Sequence, residues 1–170
     1  MFKRIAFAAA LVLALAGVSG AADFDKIPDV TKNAKAGQWV SYKNEMAGMG
    51  VMEQKQTITA VEGDGEDKVI TIKTEMSMGG QSMPAQEQKI PLKGAKEAQM
   101  EAWKNNPGVK VSETKVTANG KEYDAVLIEY ADQGGETKLY MSAKVPVTGI
   151  IKLEVGGMPG PVMELADFGE

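Results

Sequence analysis

The sequence predicts a mainly β protein, a curved antiparallel sheet or half-barrel of about nine strands with one short helix packed on it. Three observations support this fold class. Apolar and polar residues alternate with a two-residue period in several segments, most clearly over residues 51–61. Glycine-marked reversals separate these segments, and Asn119-Gly120 is a strong signal for a two-residue hairpin. Residues 95–104 are good helix formers without a β-branched residue.

The first half of the chain is predicted to form an up-and-down meander. Strands are expected over residues 38–46, 51–61, 68–78 and 86–92. Glycine-containing turns are expected at residues 47–50, 63–65 and 79–80. Because successive turns of a meander project from opposite ends of the sheet, the first and third turns are expected at the same end.

The second half begins after the predicted helix, which Asn105-Asn106-Pro107-Gly108 should stop. Met100 and Trp103 are three residues apart, so they share one helix face and are expected to cover one side of the sheet. Further strands are expected over residues 109–117, 122–130, 137–142, 150–155 and 162–168.

The N-terminus has the layout of an export signal. Residues 1–4 carry two positive charges, residues 5–18 are apolar or neutral, and small residues follow up to Ala22. An apolar run of about 14 residues is too short to cross a hydrocarbon core of ~30 Å. We therefore expect a signal peptide over residues 1–21, cleaved near Ala21, and one β-rich domain over residues 22–170, soluble in the periplasm or secreted, with no transmembrane anchor.

The composition of the mature chain excludes several chemistries. Removal of the leader leaves 17 Lys and 23 acidic residues, a formal charge of −6, which disfavours nucleic acid as a partner. Arg4 is the only Arg, and the chain has no His or Cys. The usual triad base, thiolate nucleophile, zinc ligands and bidentate Arg clamp are therefore missing. We expect no enzymatic activity and no cofactor; a carboxylate-dependent hydrolase is the third-ranked alternative.

Methionines are concentrated at the end of the sheet where the first and third turns are expected. Residues 46–52 and 76–83 contain six of the 11 Met residues. Three interpretations remain open. The methionines fill irregular gaps in the core, they form an apolar opening that binds acyl chains or other apolar ligands, or they bind Cu(I) through their soft thioether sulfur atoms. The predicted ligand-binding apolar rim comprises Met46, Met49, Met52, Met76, Met78, Met83, Met100 and Trp103. The alternative Cu(I) ligands are Met46, Met49, Met52, Met76 and Met78.

Several strand and turn segments resemble an uncharacterised family of exported, β-rich bacterial proteins. These segments are Val116-Thr117-Ala118-Asn119-Gly120-Lys121-Glu122-Tyr123, Lys138-Leu139-Tyr140-Met141-Ser142 followed by Val145-Pro146, Gly149-Ile150-Ile151-Lys152-Leu153-Glu154, and Glu164-Leu165-Ala166-Asp167-Phe168-Gly169. The order of elements is similar to that of the LolA/LolB lipoprotein-carrier fold, which implies a curved sheet with helical structure across its open side.

The predicted function is that of a non-enzymatic binding protein of the periplasm or cell envelope. Its ligand is expected to be an apolar, lipid-like molecule or a protein partner. A periplasmic Met-based Cu(I)-binding protein is the alternative.

Overall fold

The structure, a computed structural model, describes residues 23–46, 50–106, 108–132, 135–157 and 161–170. The predicted signal peptide and its cleavage position lie outside these residues. Within them the chain forms ten strands and one α-helix, which confirms the mainly β class. The elements are β1 (Trp39–Met46), β2 (Gly50–Glu62), β3 (Val69–Met78), β4 (Gln81–Ser82), β5 (Gln86–Pro91), α1 (Ala95–Lys104), β6 (Lys110–Ala118), β7 (Lys121–Asp132), β8 (Gly135–Met141), β9 (Ile150–Val155) and β10 (Pro161–Gly169). Short 3₁₀ turns lie at Phe24–Lys26 and Gly65–Asp67.

All ten described strands belong to one open antiparallel sheet, in the order β4-β3-β2-β1-β10-β9-β8-β7-β6, with β5 also paired to β3. The chain proceeds outward from β1 to the β5 edge and then passes through α1 to the opposite edge at β6. It returns strand by strand until β10 pairs with β1, where Tyr42 lies opposite Leu165. The sheet is thus two meanders joined at its centre by the first and last strands.

One edge of the sheet differs from the prediction. Both β4 and β5 pair with the same side of β3, and Met83, between them, donates its backbone N–H to the carbonyl of Met76 (2.8 Å). Together they form one irregular edge strand, of which only the β5 part was predicted. Pro91, opposite Val69, is the last residue of β5, a position where the lack of an N–H is tolerated.

The tip of the β6–β7 hairpin shows how strongly the sheet curves. Asn119 and Gly120 both have positive φ (46° and 72°), as the Asn-Gly signal predicts. The Asn119 side-chain amide donates to the carbonyl of Ala166 (2.6 Å), and its backbone N–H donates to the Glu164 carboxylate (3.1 Å). Since β7, β8 and β9 separate β6 from β10 in the sheet, these bonds require the second meander to curl back on itself.

Two clusters of buried side chains form the core. The first joins the two meanders and includes Tyr42, Ile58, Val116, Ile151 and Leu165. The second contains Ile27, Val109, Ile128, Leu139 and Met141, against which Met100 and Trp103 of α1 pack.

The N-terminal segment of the described chain, residues 23–36, is mostly polar in sequence but buries Ile27 and Ala34. Ala34 belongs to the first buried cluster and Ile27 to the second, and these long-range contacts cannot be predicted from the local sequence. Within the described residues no helix combines the length and the apolar character needed to cross a bilayer.

Candidate functional site

The two methionine runs meet at one end of the first meander. Met52 of β2 lies directly opposite Met78 of β3, and Met76 lies two residues along β3 on the same face. Met46 belongs to β1 by its backbone, but its side chain and the whole of Met49 lie outside what the structure describes. The placement of both runs at one end agrees with the meander predicted from the sequence.

A groove of about 380 Å³ lies beside this end of the sheet. It is lined by Ser41, Tyr42, Lys43, Glu53, Gln54, Lys55, Glu75, Met76, Ser77, Ser82, Met83, Ala85 and Ala166. Two of the predicted rim residues, Met76 and Met83, are therefore part of it. Four of its thirteen lining residues are charged, namely Lys43, Glu53, Lys55 and Glu75.

These charges are largely paired. Lys43 lies 3.6 Å from Glu53, and the Lys55 ammonium lies 4.5 Å from the Trp39 ring centroid. A hydrogen bond from Lys73 (2.7 Å) lowers the pKa of Glu75 below its ordinary value. An apolar ligand seated here would remove water from these charges, which is unfavourable. The groove is thus poorly suited to a lipid-like molecule.

A smaller cavity, of about 170 Å³, lies under the N-terminal segment 27–31, which we call the strap, and its lining contains a larger share of apolar side chains than that of the groove. We call this space the strap cavity. Its lining residues are Ile27, Pro28, Asp29, Val30, Thr31, Leu92, Met100, Trp103, Leu139, Met141, Thr148 and Ile150. Nine of these twelve side chains are apolar. Met100 and Trp103, predicted as ligand-binding residues, line this cavity and are absent from the lining of the groove.

The strap is held against the sheet at several points. The Asp29 carboxylate accepts hydrogen bonds from the Thr31 hydroxyl (2.7 Å) and the Thr31 backbone N–H (3.2 Å), which folds the strap into a turn. Before the strap, Lys26 donates to Glu113 on β6 (3.1 Å). At its centre, Val30 lies so close to Gly149 that a Cβ on this glycine would be 2.6 Å from Val30 Cγ1.

The loop between β8 and β9 forms the opposite wall. Thr148 donates its N–H to the carbonyl of Pro146 (2.8 Å), which closes a γ-turn around Val147. Val147 has φ 68°, a strained conformation for a β-branched residue. This turn directs Thr148 toward the core, where its hydroxyl hydrogen-bonds to the hydroxyl of Tyr42.

A buried hydrogen-bond network fixes this wall to the centre of the sheet. Tyr42 on β1 donates to the carbonyl of Ile150 (3.1 Å), and the N–H of Ile150 donates to the Thr148 hydroxyl (3.2 Å). Burial raises the pKa of Tyr42 above its ordinary value, so this phenol remains a neutral donor. The cavity wall is therefore rigidly positioned by a residue that does not line the cavity.

Two perturbed groups of the second meander, Tyr140 and Lys152, belong to a cross-strand network on the sheet. Tyr140 and Lys152 are register partners, and Glu154 lies 2.9 Å from Lys152 and 3.4 Å from the Tyr140 hydroxyl. The hydrogen bond that Lys152 donates to Glu154 raises the pKa of Lys152, while partial burial and the Glu154 charge raise that of Tyr140. These contacts stabilise neighbouring strands. Among the described residues no group of three or more His, Cys, Asp or Glu is arranged to hold a metal ion.

Comparison of the chain with protein-family models, curated protein sequences and solved structures finds no match. The resemblance to the LolA/LolB fold therefore stays a prediction.

Sequence reasoning identified two residues of the strap cavity and missed the other ten. The missed residues come from the strap, the end of the β5 edge, β8, the β8–β9 loop and the first residue of β9. A usable signal was present in Ile27-Pro28 and Val30, which are apolar residues within an otherwise polar stretch. The unusual Val145-Pro146-Val147 sequence also marked the loop that forms the wall.

Proposed function

We propose that this protein is a non-enzymatic, exported binding protein that takes a small apolar ligand in the strap cavity. The observation that carries the proposal is a partly enclosed cavity of about 170 Å³, lined mostly by apolar side chains from the strap, α1, β8–β9 and Leu92. Ligand sites are typically concave and apolar with a few polar groups that fix orientation. Asp29, Thr31 and Thr148 are the polar groups of this lining. The predicted signal peptide supports an exported location.

The size of the cavity indicates the size of the apolar group. An apolar cavity of ~150 Å³ in another protein stays dry and binds benzene or xenon. The strap cavity, at about 170 Å³, is matched to a ring or a short alkyl segment of similar volume. Met100 and Met141 can repack around ligands of different shape because the thioether side chain is unbranched and flexible.

Trp103 provides a direct test because its side chain lines the cavity. The Trp39→Phe variant leaves Trp103 as the only tryptophan, so emission changes report on the strap cavity. Titration with 1-octanol should give a saturable change in Trp103 emission. Filling the cavity with Met141→Phe should weaken binding at least tenfold, whereas Met83→Phe, the same substitution at an exposed Met of the groove, should leave the affinity unchanged.

Both variants should first be shown to fold, by circular dichroism and urea unfolding, because overpacking destabilises a core by about 1–3 kcal/mol. Absence of a saturable emission change in the folded single-tryptophan protein would contradict the proposal. Equal affinities of the folded Met141→Phe and Met83→Phe variants would also contradict it. A loss confined to Met83→Phe would move the apolar site to the groove.

A Cu(I) site is the second candidate function, supported by the pairing of Met52 with Met78 and the position of Met76 on the same face. Directly opposed strand residues have Cβ atoms about 4.5–5.5 Å apart, and flexible thioethers at that separation can share one soft ion. Competition titration with a Cu(I) chelator under reducing conditions tests this candidate. The Met52→Leu/Met78→Leu variant should bind at least tenfold more weakly than a Met100→Leu/Met141→Leu control. Equal affinities would remove the metal site.

A further inference from the structure

A second, larger cavity of about 630 Å³ adjoins the strap cavity. It is lined by Asp29, Thr31, Lys32, Gly65, Lys68, Leu92, Lys93, Gly94 and Glu97. Asp29, Thr31 and Leu92 also line the strap cavity, so the two spaces are neighbours. Most side chains of the strap cavity are apolar, whereas the larger space is lined by three lysines and by the carboxylates of Asp29 and Glu97.

We call Lys32, Lys68 and Lys93 the lysine mouth. The backbones of two of them are fixed beside the shared wall. Lys68 accepts a hydrogen bond through its carbonyl from the N–H of Leu92 (2.9 Å), and the N–H of Lys32 donates to the Asp29 carboxylate (3.3 Å). These bonds hold Lys68 beside Leu92 and Lys32 beside Asp29, and both Leu92 and Asp29 also line the strap cavity.

The lysines of the mouth outnumber the acidic residues in the same lining, which are Asp29 and Glu97. One oxygen of Asp29 accepts hydrogen bonds from the Lys32 N–H and from the Thr31 hydroxyl and N–H. Lys93 pairs with Asp67 at 3.0 Å, but both side chains are more than two-thirds exposed (68% and 79%). Exposed pairs of this kind contribute little and can exchange partners. Three lysines against two carboxylates give this lining a net formal charge of +1, in a chain whose overall charge is −4.

We propose that the ligand is a single-chain carboxylate amphiphile of medium length, with its tail in the strap cavity and its carboxylate at the lysine mouth. This inference rests on the proposed function and adds the class of ligand. An ionised head cannot enter an apolar cavity without a large desolvation penalty, so it must remain at an opening. The lysine mouth provides charge and hydration at the opening that adjoins the cavity through Leu92.

Octanoate and 1-octanol distinguish the two proposals because they have tails of equal length and differ in the charge of the head group. Titrated against the Trp39→Phe protein at low salt, octanoate should bind at least fivefold more tightly than 1-octanol. The advantage should shrink as salt is added, since the mouth is open to solvent and screened. The Lys32→Gln/Lys68→Gln variant should lose the octanoate advantage and keep its affinity for 1-octanol.

A Lys110→Gln/Lys121→Gln variant is the matched control, because it removes the same charge from exposed positions on β6 and β7. It should retain the octanoate advantage. Equal binding of octanoate and 1-octanol by the parent protein, or an equal loss in both lysine variants, would overturn the carboxylate inference and leave the apolar cavity intact. Failure of both ligands to bind would instead overturn the proposed function.

Discussion

Replacement of Tyr42 by Phe tests whether the buried network positions the cavity wall. The side chain is only 2% exposed, and its hydroxyl bonds to the Thr148 hydroxyl and to the Ile150 carbonyl. A typical hydrogen bond contributes about 1 kcal/mol net, and a buried acceptor left without its donor costs a further ~1–3 kcal/mol. We therefore expect Tyr42→Phe to lower the free energy of unfolding by roughly 2–4 kcal/mol, the sum of these contributions.

The same residue makes stability depend on pH in the alkaline range. An unfolded tyrosine ionises near pH 10, whereas burial raises the pKa of Tyr42 in the folded protein. The folded protein keeps this proton at pH values where the unfolded chain has lost it, so raising the pH favours the unfolded chain. Above about pH 10, the single proton should reduce the free energy of unfolding by up to ~1.4 kcal/mol per pH unit.

Urea unfolding at intervals from neutral pH to pH 11 measures both effects. The difference in stability between the parent protein and Tyr42→Phe should be constant at neutral pH and decrease above pH 10, because only the parent has this phenol. Subtraction of the two curves removes the contributions of Tyr140 and the lysines, which both proteins share. A difference that stays constant to pH 11 would refute the assignment of Tyr42 as a buried neutral donor.

Three further substitutions test the strap, the curled hairpin and the core. Gly149→Ala should destabilise the protein by more than about 1 kcal/mol and increase proteolysis of the strap, since φ is 72° and the new Cβ would meet Val30. Adding Val30→Ala to Gly149→Ala should recover part of the lost stability, because it removes the clash. The control is Gly94→Ala, which has the same φ but open space around it, so it measures the cost of the backbone conformation alone. Asn119→Ala should lower the free energy of unfolding, measured by urea unfolding, by about 1–2 kcal/mol, because the hydrogen bond to β10 is lost. An unchanged free energy would mean that the hairpin tip does not stabilise the curvature of the second meander. Leu165→Ala should cost about 2–5 kcal/mol in the same assay, because its side chain is 1% exposed, and a smaller loss would place it outside the core.

Much of the secondary structure could be read from local patterns. The alternation over residues 51–61 predicted the exposed and covered faces of β2, and the Asn119-Gly120 pair predicted the β6–β7 turn. The helix over residues 95–104 has the bounds predicted from its composition. These features depend on residues that are neighbours in the chain, so backbone propensity and side-chain periodicity are sufficient to predict them.

The candidate site was predicted only in part, because it consists of residues distant in the chain. Met100 and Trp103 were correctly paired on one helix face, but their neighbours in the strap cavity come from residues 27–31 and 139–150. The methionines were placed correctly at one end of the sheet. The Lys and Glu side chains that give the groove its charge occupy the alternate positions of the same strands, so they lie on the other face of the sheet. Whether a ligand contacts one face of the sheet or the other depends on which segments of the chain pack against each face.

The sequence by itself determined that this chain is a β-rich protein with one short helix, and its composition excludes imidazole and thiolate chemistry. Only the tertiary structure decided that β10 returns to pair with β1, and that the N-terminal strap encloses an apolar space. The physical reason is the range of the interactions. Strand periodicity is a property of adjacent residues, whereas strand order and cavities depend on contacts between segments more than a hundred residues apart, such as Val30 against Gly149.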